Sequence, residues 1–360
     1  MKRIFLPPWL VRLWRHTRTV QFGVDPSHAV VLEFGDFAEI RLLDLMDGTR
    51  TEPQIHQEAA QLGIPTSVTD RLLRLLRSAG LLFDPAAVIA HRLPEGKRRR
   101  LEPELAGLAL RNRSLGAPAS SDRTHDRSPA SVLVNRHHSR VRVCGRGRMV
   151  APVAALLAAA GVGRVELEIP GRAAIGDHAV GGLLPGDEGR SRLLAAQDAV
   201  LRAAPDTKVC AVGTERVDLV IFLGTPRPAP LAATTYALRR QPHLTAWLRD
   251  GTVVVGPLVE PGRTTCLQCV DLHRQDRDPA WPLLAAQLAT TPERPEPGEV
   301  GVVTAGAALT VMQALYYLDG GEPETMGGTL ELRGPGRIRR RSWTPHPRCR
   351  CLIRPRRHAC

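Results

Sequence analysis

Aromatic residues are scarce, Phe, Trp and Tyr making up 4% of 360 residues. The core must therefore rest on Leu, Val, Ala and Ile, without the large ring area that often anchors an interior. Signals for export or membrane insertion are also missing. The start, MKRIFLPPWLVRLWRH, is broken by Pro7, Pro8 and Arg12, which rules out a signal-peptide core. The uncharged run from Met149 to Gly163 is too short to span a bilayer. Seven cysteines without such a signal predict reduced thiols and a cytoplasmic protein with no membrane partner. Acidic residues are absent between Arg333 and Cys360, where ten Arg supply most of the net charge of +13. Such a field attracts acidic partners, although a solvated basic tail explains it as well.

What is present suffices for two domains, with 43% hydrophobic and 24% charged residues. TVQFGVDPSHAVVLEF predicts two short strands around a turn at Asp25-Pro26-Ser27. Asp36 then caps a helix with Ile40, Leu43 and Met46 on its apolar side, and Thr51 caps a second that Gly63 ends. A third helix, from Thr66 to Ala79, places Val68, Leu72, Leu75, Leu76 and Ala79 at helical spacing before Gly80. This order predicts a small winged helix-turn-helix domain over residues 1–84. Residues 85–130, with KRRR and LGAPASSDRTHDRSP, predict a partly disordered linker.

From 131 to 360 strands and helices alternate. SRVRVCG, a glycine-rich turn, an Ala-rich helix and VELEI form a βαβ unit, and DLVIFLG continues the alternation. The fold class is α/β, a Rossmann-like doubly wound parallel sheet. Gly145 and Gly147 could open a dinucleotide site, with phosphate held at the following helix N-terminus. The third glycine position is Val150, however, and a merely structural turn accounts for the pair too.

Cys266 and Cys269 form a C-x-x-C whose natural complement is Cys349 and Cys351 at the far end of the chain. Four thiolates around one tetrahedral ion make a closed structural zinc site, which would tie the basic tail to the sheet. His346 or Cys360 could replace one sulfur. Cys144 and Cys210, in predicted strands, are expected to be inert core thiols. Asp271, His273, Asp276 and Asp278 lie at no spacing that forces a metal or acid/base pair.

VRVCGRGRMVAPVAALLAAAGVGRVELE resembles the opening of the ThiF/MoeB/HesA superfamily of ubiquitin-activating-type adenylyltransferases, and GPLVEPGRTTCLQC and HPRCRC resemble the paired halves of its zinc site. RTVQFGVDPSHAVVLEF is similar to the precursor-peptide recognition element of ribosomal peptide biosynthesis, a winged helix that holds a leader peptide as an added strand. The resemblance implies peptide contacts at Val20, Phe22, Val30 and Leu32 and at Arg71, Arg74 and Arg77 of the third helix. It also implies a homodimer and a YcaO-type cyclodehydratase as partner.

The departures bear on catalysis. Ile169 and Gly171 stand where the family has ribose-binding acids, Arg192 where it has a phosphate-contacting Lys, and Thr225 where it has a magnesium-binding Asp. The family's Asn-Leu-x-Arg-Gln stretch is missing from 176–188. The expectation is a peptide-binding scaffold with structural zinc and little or no ATP binding. The alternative is an active adenylyltransferase acting on a peptide C-terminus. A DNA-binding winged helix is a weaker third reading, since the third helix offers no base-reading Asn or Gln.

Overall fold

The strongest local signals lie in the first forty residues. Asp25 accepts from the backbone N–H of Ser27 at 2.9 Å and closes the predicted turn. The computed structural model describes residues 3–114, 128–224, 235–290 and 296–351. Two compact units share the chain, Met1–Val134 and Asn135–Cys360.

In the first unit, β1 (Arg3–Phe5) pairs with β5 (Asp47–Thr51), while β2 (Arg12–His16), β3 (Thr19–Phe22) and β4 (Val30–Glu33) form an antiparallel sheet in the order β2-β3-β4. Helix α1 (Phe37–Leu45) starts at Asp36, whose carboxylate caps the Ala38 N–H. Helix α2 (Glu52–Gln61) has Thr51 at its N-cap, and α3 (Thr66–Ser78) buries Leu72, Leu73 and Leu76. Gly63 and Gly80 follow α2 and α3 at positive φ, the backbone conformation a helix exit requires.

Two sequence expectations need correction here. Leu75 is 47% exposed, because the buried stripe of α3 passes through Leu73 instead. The predicted linker at 85–130 carries helices α4 (Pro85–Val88), α5 (Glu95–Arg100) and α6 (Glu102–Ser114), and α7 (Pro129–His138) begins at its end. Leu101, Leu105 and Leu108, at spacings of four and three, bury a small core with Val88, Leu93 and Leu133. The basic run around KRRR hid this stripe. Residues 115–127 lie outside the described set.

The second unit is built on an eight-stranded sheet in the order β13-β12-β11-β10-β9-β6-β7-β8. β6 (Arg140–Gly145), β7 (Arg164–Glu168), β8 (Lys208–Ala211), β9 (Leu219–Leu223) and β10 (His243–Arg249) run parallel. β11 (Thr252–Val259), β12 (Gly328–Arg333) and β13 (Arg337–Ser342) continue antiparallel. The sheet is thus mixed, where the sequence predicted a parallel one. The cause is local: Asp250 and Gly251 both have positive φ, as a two-residue hairpin turn demands, and they fold β11 back on β10.

Helices α8 (Val150–Ala159) and α9 (Arg192–Ala203) pack on each other, joined further along the chain by α10 (Leu267–Arg277), α11 (Trp281–Thr290) and α12 (Val300–Leu318). The main core gathers Val141, Val143, Leu167, Ile221 and Val255 from the strands with Val153 and Leu157 of α8 and Ala307 and Val311 of α12. Although α12 is apolar and long enough to cross a membrane by length and composition, here it packs as a core helix.

Arg136, on the last turn of α7, is 1% exposed and donates to both carboxylate oxygens of Asp319 at 2.7 and 2.8 Å. Asp319→Ala would leave this guanidinium buried without its carboxylate, with Nη1 still donating to the Ala160 carbonyl at 3.1 Å. The expected loss is about 3–5 kcal/mol of stability, the scale for breaking a buried ion pair. Urea denaturation measures it, and a change below about 1 kcal/mol would show that the pair does not hold α7 to the end of α12.

Candidate functional site

Sulfur chemistry converges at the seam between α10 and the chain after β13. Cys266 is the N-cap of α10 and Cys269 lies within its first turn, so one turn of helix brings the two thiols together. The Sγ of Cys266 is 3.8 Å from that of Cys269 and 3.6 Å from that of Cys349, and Cys269 Sγ is 3.5 Å from Cys351 Sγ. Zn–S bonds of about 2.3 Å in a tetrahedron place sulfurs about 3.8 Å apart. All four ligand atoms lie within 4.8 Å of one another. This donor set fits a closed four-thiolate site, and these distances are far too long for disulfides.

The surroundings support thiolates unequally. Burial, followed by its thiol neighbours, pushes Cys351 up to about 11. Cys269 goes down instead: burial opposes ionisation, but the backbone N–H of His346, 3.4 Å from its Sγ, and that of Cys266 outweigh it. The His346 ring is engaged elsewhere. Its Nε2 lies 2.7 Å from Asp276, its Nδ1 accepts the Arg348 N–H at 3.1 Å, and His273 stacks edge-on beside it. His346 therefore braces the returning chain against α10 and is not the fourth ligand. Cys360 lies outside the described residues. Cys144 is buried, and burial pushes its thiol up, as an inert core thiol requires.

The second feature is the crevice at the C-terminal ends of β6 and β9. There the strand order reverses, and open α/β sheets bind ligands at such a point. Gly145, Gly147 and Gly224 all have positive φ around it. A Cβ on Gly145 would collide with the Leu223 carbonyl oxygen, and one on Gly147 with the Glu296 carboxylate. Arg192, 8% exposed, is held by Asp177 at 2.8 Å. Ile169 is buried in the wall, and Gly171 stands against the Arg192 guanidinium. The cleft between Gly147, Ile169, Asp177, Leu183 and Arg192 has room for about 10 Å³, little more than one water. Asp177 and Glu296 escaped the sequence analysis because neither lies in a periodic element or a recognisable motif. Thr225 lies outside the described residues.

The third feature belongs to the first unit. Val20, Phe22 and Leu32 are buried in its core, and β3 is paired on both sides, so these side chains and that strand cannot receive a peptide. β4 is an edge strand, with Val30 half-buried and Val31 45% exposed. On α3, Arg71 and Arg74 are exposed beside Leu75, whereas Arg77 pairs with Glu52 at 2.9 Å.

No protein-family model and no curated protein matches the chain. Solved structures do. E. coli MccB with ATP aligns at a TM-score of 0.65 and 15% identity, over 97% of this chain and 99% of that one. The microcin C7 biosynthetic enzyme MccB in complex with N-formylated MccA gives 0.63 and 15%, over 97% and 99%. PaaA gives 0.65 and 14%, over 93% and 98%. At this identity the likeness is one of fold, and it runs through both units.

The thiol cluster yields a direct test. Purified protein is expected to carry zinc at one equivalent per chain, and Cys269→Ser or a strong chelator should remove it. Losing the cross-tie should lower the melting temperature by about 4–8 °C, the shift for roughly 2 kcal/mol in a unit of this size. Zinc-free protein with an unchanged melt and four freely reactive thiols would refute the site.

Proposed function

We propose that this protein binds the leader of a ribosomally made precursor peptide and presents it to a separate enzyme, the ThiF-like second unit serving as a scaffold without adenylyl transfer. One observation carries the peptide half: the fold matches over 98% of the chain that of E. coli MccB solved with MccA. The first unit offers the means. An edge strand can accept an extended peptide through main-chain hydrogen bonds, and a neighbouring helix can select its side chains. The surface best suited is the free edge of β4 with Val31, together with Arg71, Arg74 and Leu75 on α3. In this arrangement the first unit acts as a winged-helix recognition element, its partner is a YcaO-type cyclodehydratase making azoles from Cys, Ser or Thr, and the chain is a homodimer.

The non-catalytic half rests on chemistry. Adenylyl transfer needs charge stabilisation around phosphates and magnesium. Here the buried Arg192 on the crevice wall is tied up by Asp177, and Ile169 presents hydrocarbon where a ribose would need an acid. A second reading, active adenylyltransferase, is favoured by the match to MccB solved with ATP.

Two measurements separate these. A labelled leader from a precursor peptide encoded beside this protein's gene should bind the full chain with about micromolar affinity, near −8 kcal/mol, by fluorescence anisotropy. Replacing Arg71 and Arg74 with Glu should weaken acidic leaders by about tenfold at low salt and much less at high salt. No binding to any such precursor would sink the recognition reading. Peptide-dependent pyrophosphate exchange is expected to be absent, and robust exchange would promote the adenylyltransferase.

A further inference from the structure

The crevice between β6 and β9 is not simply emptied of ligand-binding groups. It contains a carboxylate supplied by the chain itself. Glu296 reaches into it from the segment before α12, and the segment is anchored there: Arg148 donates to the Gly298 carbonyl at 2.7 Å. Gly298 leaves no space for a side chain between Leu248 and Val303, so the backbone is pressed onto the sheet end. The Glu296 carboxylate then lies over Gly147 and Gly224, with Oε1 3.1 Å from where a Cβ on Gly224 would stand.

This is the position in which a glycine-rich turn and a helix N-terminus favour negative charge. Two glycines without side chains let an anion approach the backbone closely, and the anion present is Glu296. Burial, aided by the nearby Asp177 carboxylate, holds the Glu296 carboxyl above the usual carboxylate range, although the Arg148 backbone N–H and the Arg146 and Arg148 guanidiniums draw it down. Among the described residues, Oε2 is buried with no hydrogen-bond partner. Beside it, the cleft lined by Ile169, Asp177 and Arg192 has room for little more than one water.

We propose that Glu296 is a built-in occupant of the glycine crevice, its carboxylate standing where a phosphate group would sit, so that the seated chain excludes phosphate-bearing ligands. This goes beyond the peptide-binding reading and does not depend on it, since leader binding is assigned to the first unit. It also gives closure a cause that one substitution can remove. The missing acids at Ile169 and Gly171 weaken a nucleotide site, whereas Glu296 competes for its phosphate position directly.

Inorganic pyrophosphate is the appropriate probe, being small enough to need no space beside Ile169. Isothermal titration on the full-length chain at low salt should give a wild-type Kd weaker than about 1 mM. Glu296→Ala should bind at least tenfold more tightly. Glu296→Gln, nearly the same shape without the charge, should gain less but measurably, and it supplies the readout if the alanine variant does not fold. Adding Arg146→Ala to either variant should abolish the gain, because it removes a cation facing the vacated position. Wild-type affinity equal to that of both variants would overturn the proposal. So would a gain that survives Arg146→Ala, since the anion would then sit elsewhere. Leader affinity, measured on the same preparations, should not move, so failure of the occupant and failure of peptide recognition give different results.

Discussion

The ends of β6 and β9 approach so closely that neither can carry a side chain. A Cβ on Gly145 would strike the Leu223 carbonyl oxygen, and one on Gly224 would strike the carbonyl oxygen of Arg146. Both glycines also hold positive φ, which other residues adopt only at a cost. The contact fixes the register of the two central strands, since Gly145 lies opposite Leu223 and the Arg146 N–H donates to the Leu223 carbonyl at 3.2 Å. It also sets the direction in which α8 leaves the sheet, and hence the crevice at the switch point. The glycine pair is first a packing requirement, so its presence says little about whether a nucleotide binds.

A second constraint works at the opposite end of the unit. The chain after β13 must return to α10 for four thiols to meet, and the sulfur cluster is not alone in bringing it back. Trp343 donates to Thr329 at 3.1 Å and lies under the guanidiniums of Arg274, Arg277 and Arg341. Thr265 donates to the Trp343 carbonyl at 2.8 Å. Asp276 binds both His346 and Arg348. In a sequence with few aromatics, one tryptophan is thus used to gather three cations and close a seam. A metal would then bind a largely prearranged set of donors, which limits the chain entropy lost on coordination.

Legibility in the sequence followed the range of the interactions. Asp36 as a cap and the strands flanking Asp25-Pro26-Ser27 depend on a few neighbouring residues, and they could be read directly. The thiol cluster spans more than seventy positions, yet thiols at paired short spacings have so few roles that the connection was still visible. The mixed sheet is written in Asp250-Gly251, a hairpin signal that the surrounding alternation of strands and helices masks. Val20, Phe22 and Leu32 read as peptide contacts in the sequence because a strand's two faces look alike until the third strand and the helices are placed. Asp177 and Glu296 were out of reach: each acts through one long-range contact, and nothing in the flanking residues announces it.

The fold of the second unit is held by contacts that do not depend on a bound ligand. Its stability rests on the close approach of Gly145 to Leu223 and of Gly224 to Arg146, the buried Arg136–Asp319 pair, the apolar packing of α8 and α12 and the thiol seam. None of these requires a bound nucleotide or an acid at the ribose position. Ile169 places hydrocarbon in a wall that folding buries, which stabilises the unit. The Glu296 carboxyl, turned inward over Gly147 and Gly224, likewise fills space that the two glycines leave open at the crevice.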